Sequence, residues 1–280
     1  MKNAALIPCR GLGDGIIFTI AANYLKNRGH HVTIFHDALL ELQPWLPDFS
    51  IQPEEAFHEE FARILYQNEN APRAKKFRAL PNVEILYHNH EPKKHPSLRS
   101  KDILIGTDGP IAIYLAKALG VPCKSGLLPP KNLTYKKYPK RIAIHPTSRE
   151  EWRNWPREKF ECLAEKLQKK GWNPQFVMSA KERWSEEVPL FSSLTETAQF
   201  LFESGGFVGN DSGLGHLASA LGLPTVTLSN RHNHISLWRP SFCENRVVVP
   251  SALFPKSYRE KQWKKLIKVK NVCNTISELL

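Results

Sequence analysis

The 280-residue sequence has few cysteines and no long hydrophobic segment. Its five cysteines, at positions 9, 123, 162, 243 and 273, are odd in number and include no Cys-x-x-Cys pair. This pattern favours reduced thiols over a disulfide framework. No apolar run approaches the roughly 18 residues of a transmembrane helix, and the first apolar stretch is too short for a signal peptide. We therefore expect a cytoplasmic protein.

The sequence also lacks signatures of nucleic-acid-binding modules, although its net charge is +12. Residues 71–101 carry eight Lys/Arg against two Glu, and residues 256–270 carry seven against one. Either these stretches are solvated faces or they attract an anionic partner, such as a membrane surface or a phosphorylated glycolipid. Without an RNP, zinc-finger or helix-turn-helix pattern we expect no nucleic-acid partner.

Histidine pairs are the candidates for a metal site. His88 and His90 form one His-x-His pair, and His232 and His234 form another. Neither pair has a third ligand at the spacing of a zinc site. We therefore predict no metal site.

Apolar periodicity predicts two halves in which strands and helices alternate. In the first half a strand at 4–8 and a strand at 31–36 flank a helix at 16–28. The second half repeats this plan from a strand at 141–145 onwards. Alternation of this kind predicts an α/β fold with two doubly wound, Rossmann-like parallel sheets.

A proline-rich and lysine-rich segment separates the two halves. Residues 122–140 contain four prolines, a composition typical of a linker. We expect an N-terminal domain over 1–135 and a C-terminal domain over 136–255. A basic C-terminal helix over 256–280 is expected to pack back on the N-terminal domain.

The glycine-rich turn after the first strand raises a dinucleotide-binding alternative. GLGDG follows the first strand, and Asp37 ends the second, where a ribose-binding acid would lie. However, Ile16 replaces the third small residue of the fingerprint. Asp14 would also direct a carboxylate at the pyrophosphate. We therefore disfavour a dinucleotide site.

The second half contains an unusual segment of small residues, GNDSGLGHLASALGLPTVTL, at 209–228. It predicts a strand, a polar turn, a short helix capped by Asp211 or Ser212, and another strand. Gly222 lies where a C-terminal glycine is expected. A helix start of this kind offers unpaired N–H groups to an anion such as a diphosphate.

Three stretches together resemble glycosyltransferase family 9, the bacterial heptosyltransferase family. They are GLGD (11–14), HPTSR with RNWPREKF (145–149 and 153–160), and the segment 209–228. The last is similar to the family pattern D-[ST]-G-x-x-H-L-A-A-A-L-G-x-P. The resemblance implies the GT-B architecture, in which two Rossmann-like domains face a cleft.

The resemblance also implies roles for individual residues. It implies donor contacts from Asp211, Ser212, Gly213 and His216, with Arg153 on the leaving diphosphate and, by a looser match, Glu182 near the donor ribose. Thr147 and Ser148 add hydroxyl groups at the end of a strand, where ligands of doubly wound sheets bind. It implies that Asp14, in the acceptor-side turn with Gly11 and Gly13, is the catalytic base.

A structural role is the alternative for several of these residues. Asp14 is alternatively a helix N-cap, and His216 a buried histidine bonded to a neighbouring carbonyl. Arg153, where the family usually has Lys, is alternatively a surface arginine, and Glu182 part of a solvated face.

The six aspartates include no Asp-x-Asp pair of the kind that metal-dependent transferases of the other main architecture usually show. We therefore expect an inverting transferase that needs no metal or other cofactor. It would move a sugar from a nucleoside diphosphate, ADP-heptose by default, to a lipopolysaccharide-core or other surface-glycan acceptor. Ser229–His234 replaces the Gly-Pro-Thr turn of the family. A catalytically inactive relic that binds a nucleotide or glycan remains the alternative.

Overall fold

The computed structural model describes residues 2–92, 95, 97–180, 182–186 and 188–280. The chain forms two compact units that divide between Leu128 and Pro129. All five cysteines are free thiols, as their pattern predicts. Within the described ranges, no helix is both long and apolar enough to cross a bilayer.

The first unit is a six-stranded parallel sheet with helices connecting the strands. Its strands are β1 (Lys2–Ile7), β2 (His30–Phe35), β3 (Ser50–Gln52), β4 (Arg63–Gln67), β5 (Val83–Tyr87) and β6 (Ile103–Leu104). Its helices are α1 (Leu12–Lys26), α2 (Ala74–Ala79) and α3 (Ile111–Leu119), with 3₁₀ helices at Asp37–Trp45 and Glu54–Ala56. The strand order is β3-β2-β1-β4-β5-β6. The order reverses between β1 and β4, and ligands of doubly wound sheets bind at the carboxyl ends of strands at such a point.

The second unit is a five-stranded parallel sheet. Its strands are β7 (Tyr138–His145), β8 (Asn173–Phe176), β9 (Ser204–Asn210), β10 (Thr225–Leu228) and β11 (Asn245–Val248). Its helices are α4 (Arg157–Lys169), α5 (Leu194–Phe202), α6 (Gly213–Ala220), α7 (His232–Trp238), α8 (Lys256–Leu266) and α9 (Val269–Leu279), with a 3₁₀ helix at Glu151–Arg153. The strand order is β11-β10-β9-β7-β8. Here the order reverses between β7 and β9, the two strands that precede the family-like segments.

The two C-terminal helices pack in the core of the second unit, whereas the sequence analysis expected the segment 256–280 on the first domain. Trp263 and Ile276 belong to a buried cluster with Phe160 of α4. The Lys159 ammonium donates hydrogen bonds to the carbonyls of Lys264 and Ile267, at 2.5 and 2.9 Å, at the end of α8. These contacts satisfy carbonyls that a helix end leaves open and hold α8 against α4.

The basic stretch 71–101 is partly neutralised inside the first unit. Arg73 pairs with Glu54 and Glu69. Arg99 pairs with Asp102 at 2.9 Å. Lys93 and Lys94 lie outside the described residues. Several of its charges are thus structural rather than available to a partner.

Several elements were missed by the sequence analysis, and two of them, β4 and α7, carry residues of the candidate site. β4 is a central strand whose apolar run, Ile64–Tyr66, is only three residues long and is therefore a weak signal. α7 begins at His232, inside the segment that was interpreted as a turn. Short apolar runs and seven-residue helices carry too little periodicity to be recognised.

Candidate active site

The turn after β1 places Asp14 at the point where the first sheet reverses its strand order. α1 begins at Leu12, with Gly11 at the N-cap position, so Asp14 lies within the first turn and is not the N-cap. The side-chain amide of Gln67, the last residue of β4, donates a hydrogen bond of 2.7 Å to Asp14 Oδ1. Gln67 in turn accepts the Cys9 N–H at 2.8 Å, which fixes the orientation of its amide.

Gly11 leaves room for the second oxygen of this carboxylate. A Cβ on Gly11 would lie 2.7 Å from Asp14 Oδ2, closer than such atoms approach. The glycine is therefore needed for contact with Asp14, since its own φ of −72° suits any residue.

The surroundings of Asp14 favour a protonatable carboxyl group. Desolvation by burial raises its pKa above the usual aspartate range, and the negative charge of Glu69 acts in the same direction. The Gln67 hydrogen bond and the positive charge of Arg73 oppose this shift without cancelling it. A carboxylate with a raised pKa is a better proton acceptor, which is what a general base requires.

An ionic network lies beside this turn and was not predicted. Glu54 accepts hydrogen bonds from Arg10, at 2.9 Å, and from Arg73. Arg73 also donates to the Pro8 carbonyl, at 2.9 Å, at the end of β1. These residues are far apart in sequence, so only the folded sheet brings them together.

In the second unit, one buried side chain joins the family-like segments. Asn210 ends β9, and its amide donates to the Pro146 carbonyl at 2.5 Å. Its Oδ1 accepts the Trp155 N–H at 3.0 Å. Asn210 is fully buried, so its carboxamide fixes the chain after β7, the start of α4 and the turn before α6 relative to each other.

The turn between β9 and α6 presents a buried hydroxyl suited to a ligand. Ser212 takes the N-cap position of α6 but makes no side-chain capping bond. Its hydroxyl is buried without a hydrogen-bond partner in the described structure. Gly222, just past the end of α6, has φ of +87°, the left-handed conformation expected there.

His216 lies one turn into α6 and is 6% exposed. Burial lowers the pKa of His216 to about 4, against the opposing effects of Asp211 and the Trp238 backbone. The imidazole is therefore neutral at physiological pH, so it can accept or donate a hydrogen bond but adds no positive charge.

Asp211 precedes Ser212 and is ionised. Its side chain is 11% exposed, and its Oδ2 lies 3.5 Å from His234 Nδ1. Burial alone would raise the pKa of Asp211, but the nearby imidazole of His234, helped by His216 and Arg153, holds it below the usual range. His234 follows β10 in α7, and sequence reasoning did not assign it to this site.

Arg153 and Arg231 both lie over the ring of Trp152. Their guanidinium carbons are 5.2 and 5.5 Å from the ring centroid. Each has a buried nitrogen without a hydrogen-bond partner among the described residues, Nε of Arg153 and an Nη of Arg231. Two adjacent guanidinium groups with unused donors are typical of an anion-binding region.

The two hydroxyl residues after β7, Thr147 and Ser148, differ in their contacts. Ser148 bonds within its own loop, to Asn154 Oδ1 at 2.8 Å and to the Glu150 carbonyl. Thr147 instead lies near Glu182, and its buried hydroxyl makes no hydrogen bond within the described residues. Burial would raise the pKa of Glu182, but the hydroxyls of Ser179 and Thr147 hold it below its usual value. The structure thus brings Thr147 and Glu182 together, whereas Ser148 is engaged locally.

Among the described residues, no group of three or more His, Cys, Asp or Glu side chains could hold a metal ion. Neither histidine pair of the sequence analysis belongs to such a group.

Comparison with known proteins gives a family match over most of the second unit and structural matches over the whole chain. The model of glycosyltransferase family 9 (heptosyltransferase) matches residues 129–264. No curated protein matches the chain in sequence. ADP-heptose lps heptosyltransferase II of E. coli is similar in structure, with a TM-score of 0.73, 16% identity, and coverage of 100% of this chain and 98% of the other. E. coli heptosyltransferase WaaC with ADP has a TM-score of 0.70 at 14% identity, covering 99% and 100%.

A third similar structure is that of an iron-containing, dodecameric protein. The iron-containing dodecameric glycosyltransferase TibC of enterotoxigenic E. coli has a TM-score of 0.60 at 14% identity, with 99% of this chain and 76% of the other covered. At these identities the structures establish the shared fold, two parallel-sheet α/β domains. The sequence match to the family covers residues 129–264, in the second unit.

Proposed function

We propose that the chain is a heptosyltransferase-like glycosyltransferase, because the family 9 model matches most of its second unit. It would transfer a sugar from a nucleoside diphosphate with inversion. The default donor is ADP-heptose, because one similar structure is an ADP-heptose heptosyltransferase and another is a heptosyltransferase with ADP. The proposed acceptor is a lipopolysaccharide core or another surface glycan.

The observation that carries this proposal is the group of unused donors at the β7/β9 reversal. Arg153 Nε and the Ser212 hydroxyl have no described partner. Ser212 also begins α6, whose free N–H groups and dipole favour an anion. A diphosphate would accept hydrogen bonds from Arg153, from Ser212 and from the first N–H groups of α6. These protein groups would then stabilise its negative charge as it leaves the sugar. The proposal therefore requires no metal ion.

Asp211 suits the sugar rather than the phosphates. It is ionised, so it would repel a phosphate but accept hydrogen bonds from sugar hydroxyls. Thr147 and Glu182 are proposed to contact the nucleoside, with the Glu182 carboxylate bonding the ribose.

Asp14 is the proposed base. The acceptor hydroxyl oxygen would bond to the anomeric carbon as the bond from that carbon to the diphosphate oxygen breaks. Asp14 would take the hydroxyl proton, and the nucleoside diphosphate would leave with the bonding electron pair. The raised pKa of Asp14 supports this role.

A membrane-facing surface would suit a glycolipid acceptor. Leu253 is 94% exposed, and Phe254 and Tyr258 are also exposed beside the basic helix α8. Apolar side chains next to lysines favour the surface of an anionic membrane. We propose peripheral contact through this segment, which vesicle co-sedimentation with and without Leu253→Ser would test.

The first experiment measures binding of ADP, GDP, UDP, CDP, NAD and ADP-heptose by thermal shift and calorimetry. We expect one nucleoside diphosphate to bind, and Arg153→Gln to weaken it about tenfold or more, as for loss of a hydrogen bond to a charged group. Arg246→Gln, an exposed arginine paired with Glu244 in the same unit, should bind as the wild type does.

Transfer is then measured with the bound donor and a panel of glycan acceptors. Nucleotide binding without transfer or donor hydrolysis would favour the inactive binding protein. Binding of NAD alone would overturn the donor site, as would binding that Arg153→Gln leaves unchanged.

A further inference from the structure

A second anion-binding feature adjoins the turn at Asp211. A pocket of about 210 Å³ is lined by Asn230, Arg231, His232, Asn233, His234, Lys256, Arg259 and Glu260. All of these residues belong to the second unit, five of them just after β10 and in α7 and three in α8. His234 connects the pocket to the donor turn, because its Nδ1 lies 3.5 Å from Asp211 Oδ2.

The charge of this pocket is positive and unpaired. Arg231, Lys256 and Arg259 line it against one carboxylate, Glu260. No described carboxylate lies within ion-pair distance of any of these three cations, although eight other Lys or Arg side chains of the described chain have such partners. Burial and the charge of Arg153 lower the pKa of Arg231, while Asp211 and Glu260 act against that shift.

The guanidinium groups also keep unused hydrogen-bond donors. Arg231 has a buried Nη and Arg259 a buried Nε without a partner among the described residues. Buried donors on charged groups are costly to leave unpaired. Two arginines from different elements, turned to one pocket, match the planar oxygens of a carboxylate or phosphate.

The pocket is too small for a whole nucleotide sugar, since sites for drug-sized ligands are about 300–1,000 Å³. It has room for one sugar ring or its acidic substituent. The proposed diphosphate site, with Arg153 and Ser212, lies immediately beside it through Asp211 and Arg231. The group that fills it would therefore be carried on the sugar next to the diphosphate.

We propose that this pocket, lined by Arg231 and Arg259, binds an anionic substituent, a carboxylate or a phosphate, on the transferred sugar. The donor would then be the nucleoside diphosphate of an acidic sugar rather than of a neutral heptose. This proposal rests on the proposed function, because it places the diphosphate at Arg153 and Ser212.

The test uses three sugar phosphates, so it does not depend on the donor base. Glucose 1-phosphate, glucuronic acid 1-phosphate and glucose 1,6-bisphosphate are titrated calorimetrically into the intact protein. We expect one of the two acidic probes to bind at least tenfold more tightly than glucose 1-phosphate. Whichever does so identifies the substituent as a carboxylate or a phosphate.

Variants then show which residues cause the preference for an acidic probe over glucose 1-phosphate. Arg231→Gln and Arg259→Gln should each abolish it, and Arg259→Gln, which lies away from Arg153, should leave the affinity for glucose 1-phosphate within about twofold. Lys261→Gln, on the same helix but exposed and outside the pocket, should keep it. Arg153→Gln should weaken all three probes by the same factor, since they share the 1-phosphate. Circular dichroism and thermal melts check that each variant is folded.

The outcomes separate the two proposals. Equal affinity for the three probes, no binding of any of them, or a preference that survives in Arg259→Gln overturns the acidic-sugar subsite. If the preference is present and depends on Arg231 and Arg259 while Arg153→Gln changes nothing, the subsite is supported and the diphosphate assignment fails.

Discussion

Asp14 and Asp211 occupy corresponding positions in the two units but have opposite electrostatic surroundings. Each follows a central strand at the point where its sheet reverses order, and each is largely shielded from water. Burial raises the pKa of Asp14, whose nearest partner is the neutral amide of Gln67. The pKa of Asp211 is lowered despite burial, because His234, His216 and Arg153 surround it. One turn thus favours proton transfer, whereas the other holds a fixed negative charge.

The difference between the two pKa shifts arises from the side chains around each aspartate and not from the strand–turn–helix geometry. Both turns supply an aspartate near the start of a helix, where the dipole favours a carboxylate. In the first unit no arginine approaches closely enough to cancel the effect of desolvation. In the second, an imidazole lies 3.5 Å away. Partner residues therefore decide which aspartate can exchange a proton at neutral pH.

The largest expected effect comes from removing the proton acceptor. Asp14→Asn keeps the acceptor atom for Gln67 but cannot take a proton. We expect the transfer rate to fall by about 10²- to 10⁴-fold, as for loss of a general base, with nucleotide affinity unchanged. Asp48→Asn is the matched control, because Asp48 is an exposed partner of Lys26. Full activity in Asp14→Asn would show that another group is the base.

The next effect compares Gly11, beside Asp14, with Gly209, near the end of β9. In Gly11→Ala the new methyl group would displace the Asp14 carboxylate, which can move, so we expect the protein to fold. The transfer rate should fall by about 10²-fold, because the proposed base is displaced. In the second unit, a Cβ on Gly209 would lie 2.6 Å from the His145 carbonyl oxygen. A backbone carbonyl cannot move aside as easily as a side chain, so Gly209→Ala should lower the melting temperature instead. Rate assays and thermal melts on both variants check this contrast, and equal effects of the two would contradict it.

Stability should change in opposite directions when the two aspartates are neutralised. The stabilising contribution of ionised Asp211 is present above the unfolded pKa of about 3.9 and is lost as pH falls through its lowered folded pKa. For Asp14, with a raised folded pKa, stability is highest below about 3.9 and declines as pH rises through that pKa.

At pH 7, Asp211→Asn should therefore lower the melting temperature and Asp14→Asn should raise it, each by a few degrees. One kcal/mol corresponds to about 2–4 °C in a chain of this size class. Calorimetric scans at pH 7 measure both shifts, and shifts of the same sign would contradict the assigned pKa directions.

The smallest effect is a displacement of the pH–rate profile. The Gln67 hydrogen bond lowers the pKa of Asp14 against the effect of burial. Gln67→Met should raise that pKa further and move the acidic limb of kcat/KM to higher pH, with little change in the plateau rate. Arg246→Gln, far from Asp14 in sequence and exposed, should leave the limb in place. An unmoved limb in Gln67→Met would mean that Asp14 does not titrate in the free enzyme.

The sequence predicted the residue types of both turns but not their surroundings. The alternation of strands and helices was enough to predict the two parallel sheets, and Gly222 was identified from its position after α6. Gln67 was missed because it ends a strand with a short apolar run, 53 positions from Asp14. His234 was missed because α7 was interpreted as a turn.

The C-terminal packing was misjudged for a similar reason. α8 is rich in lysine and weakly amphipathic, so its sequence does not indicate which surface it covers. The contacts that place it, Lys159 with the carbonyls of Lys264 and Ile267, join residues more than 100 positions apart. Basic composition alone also overstated the free charge of residues 71–101, since Arg73 and Arg99 are paired within the first unit.

The buried amide of Asn210 has a consequence for protein engineering. It bonds the chain after β7 through Pro146 and the start of α4 through Trp155, at 2.5 and 3.0 Å. A chimera that exchanges only residues 209–228 with a relative would replace Asn210 but keep its partners, Pro146 and Trp155. Donor specificity should therefore transfer between relatives only when the grafted block runs from β7 through α6, with both of its anchor points included.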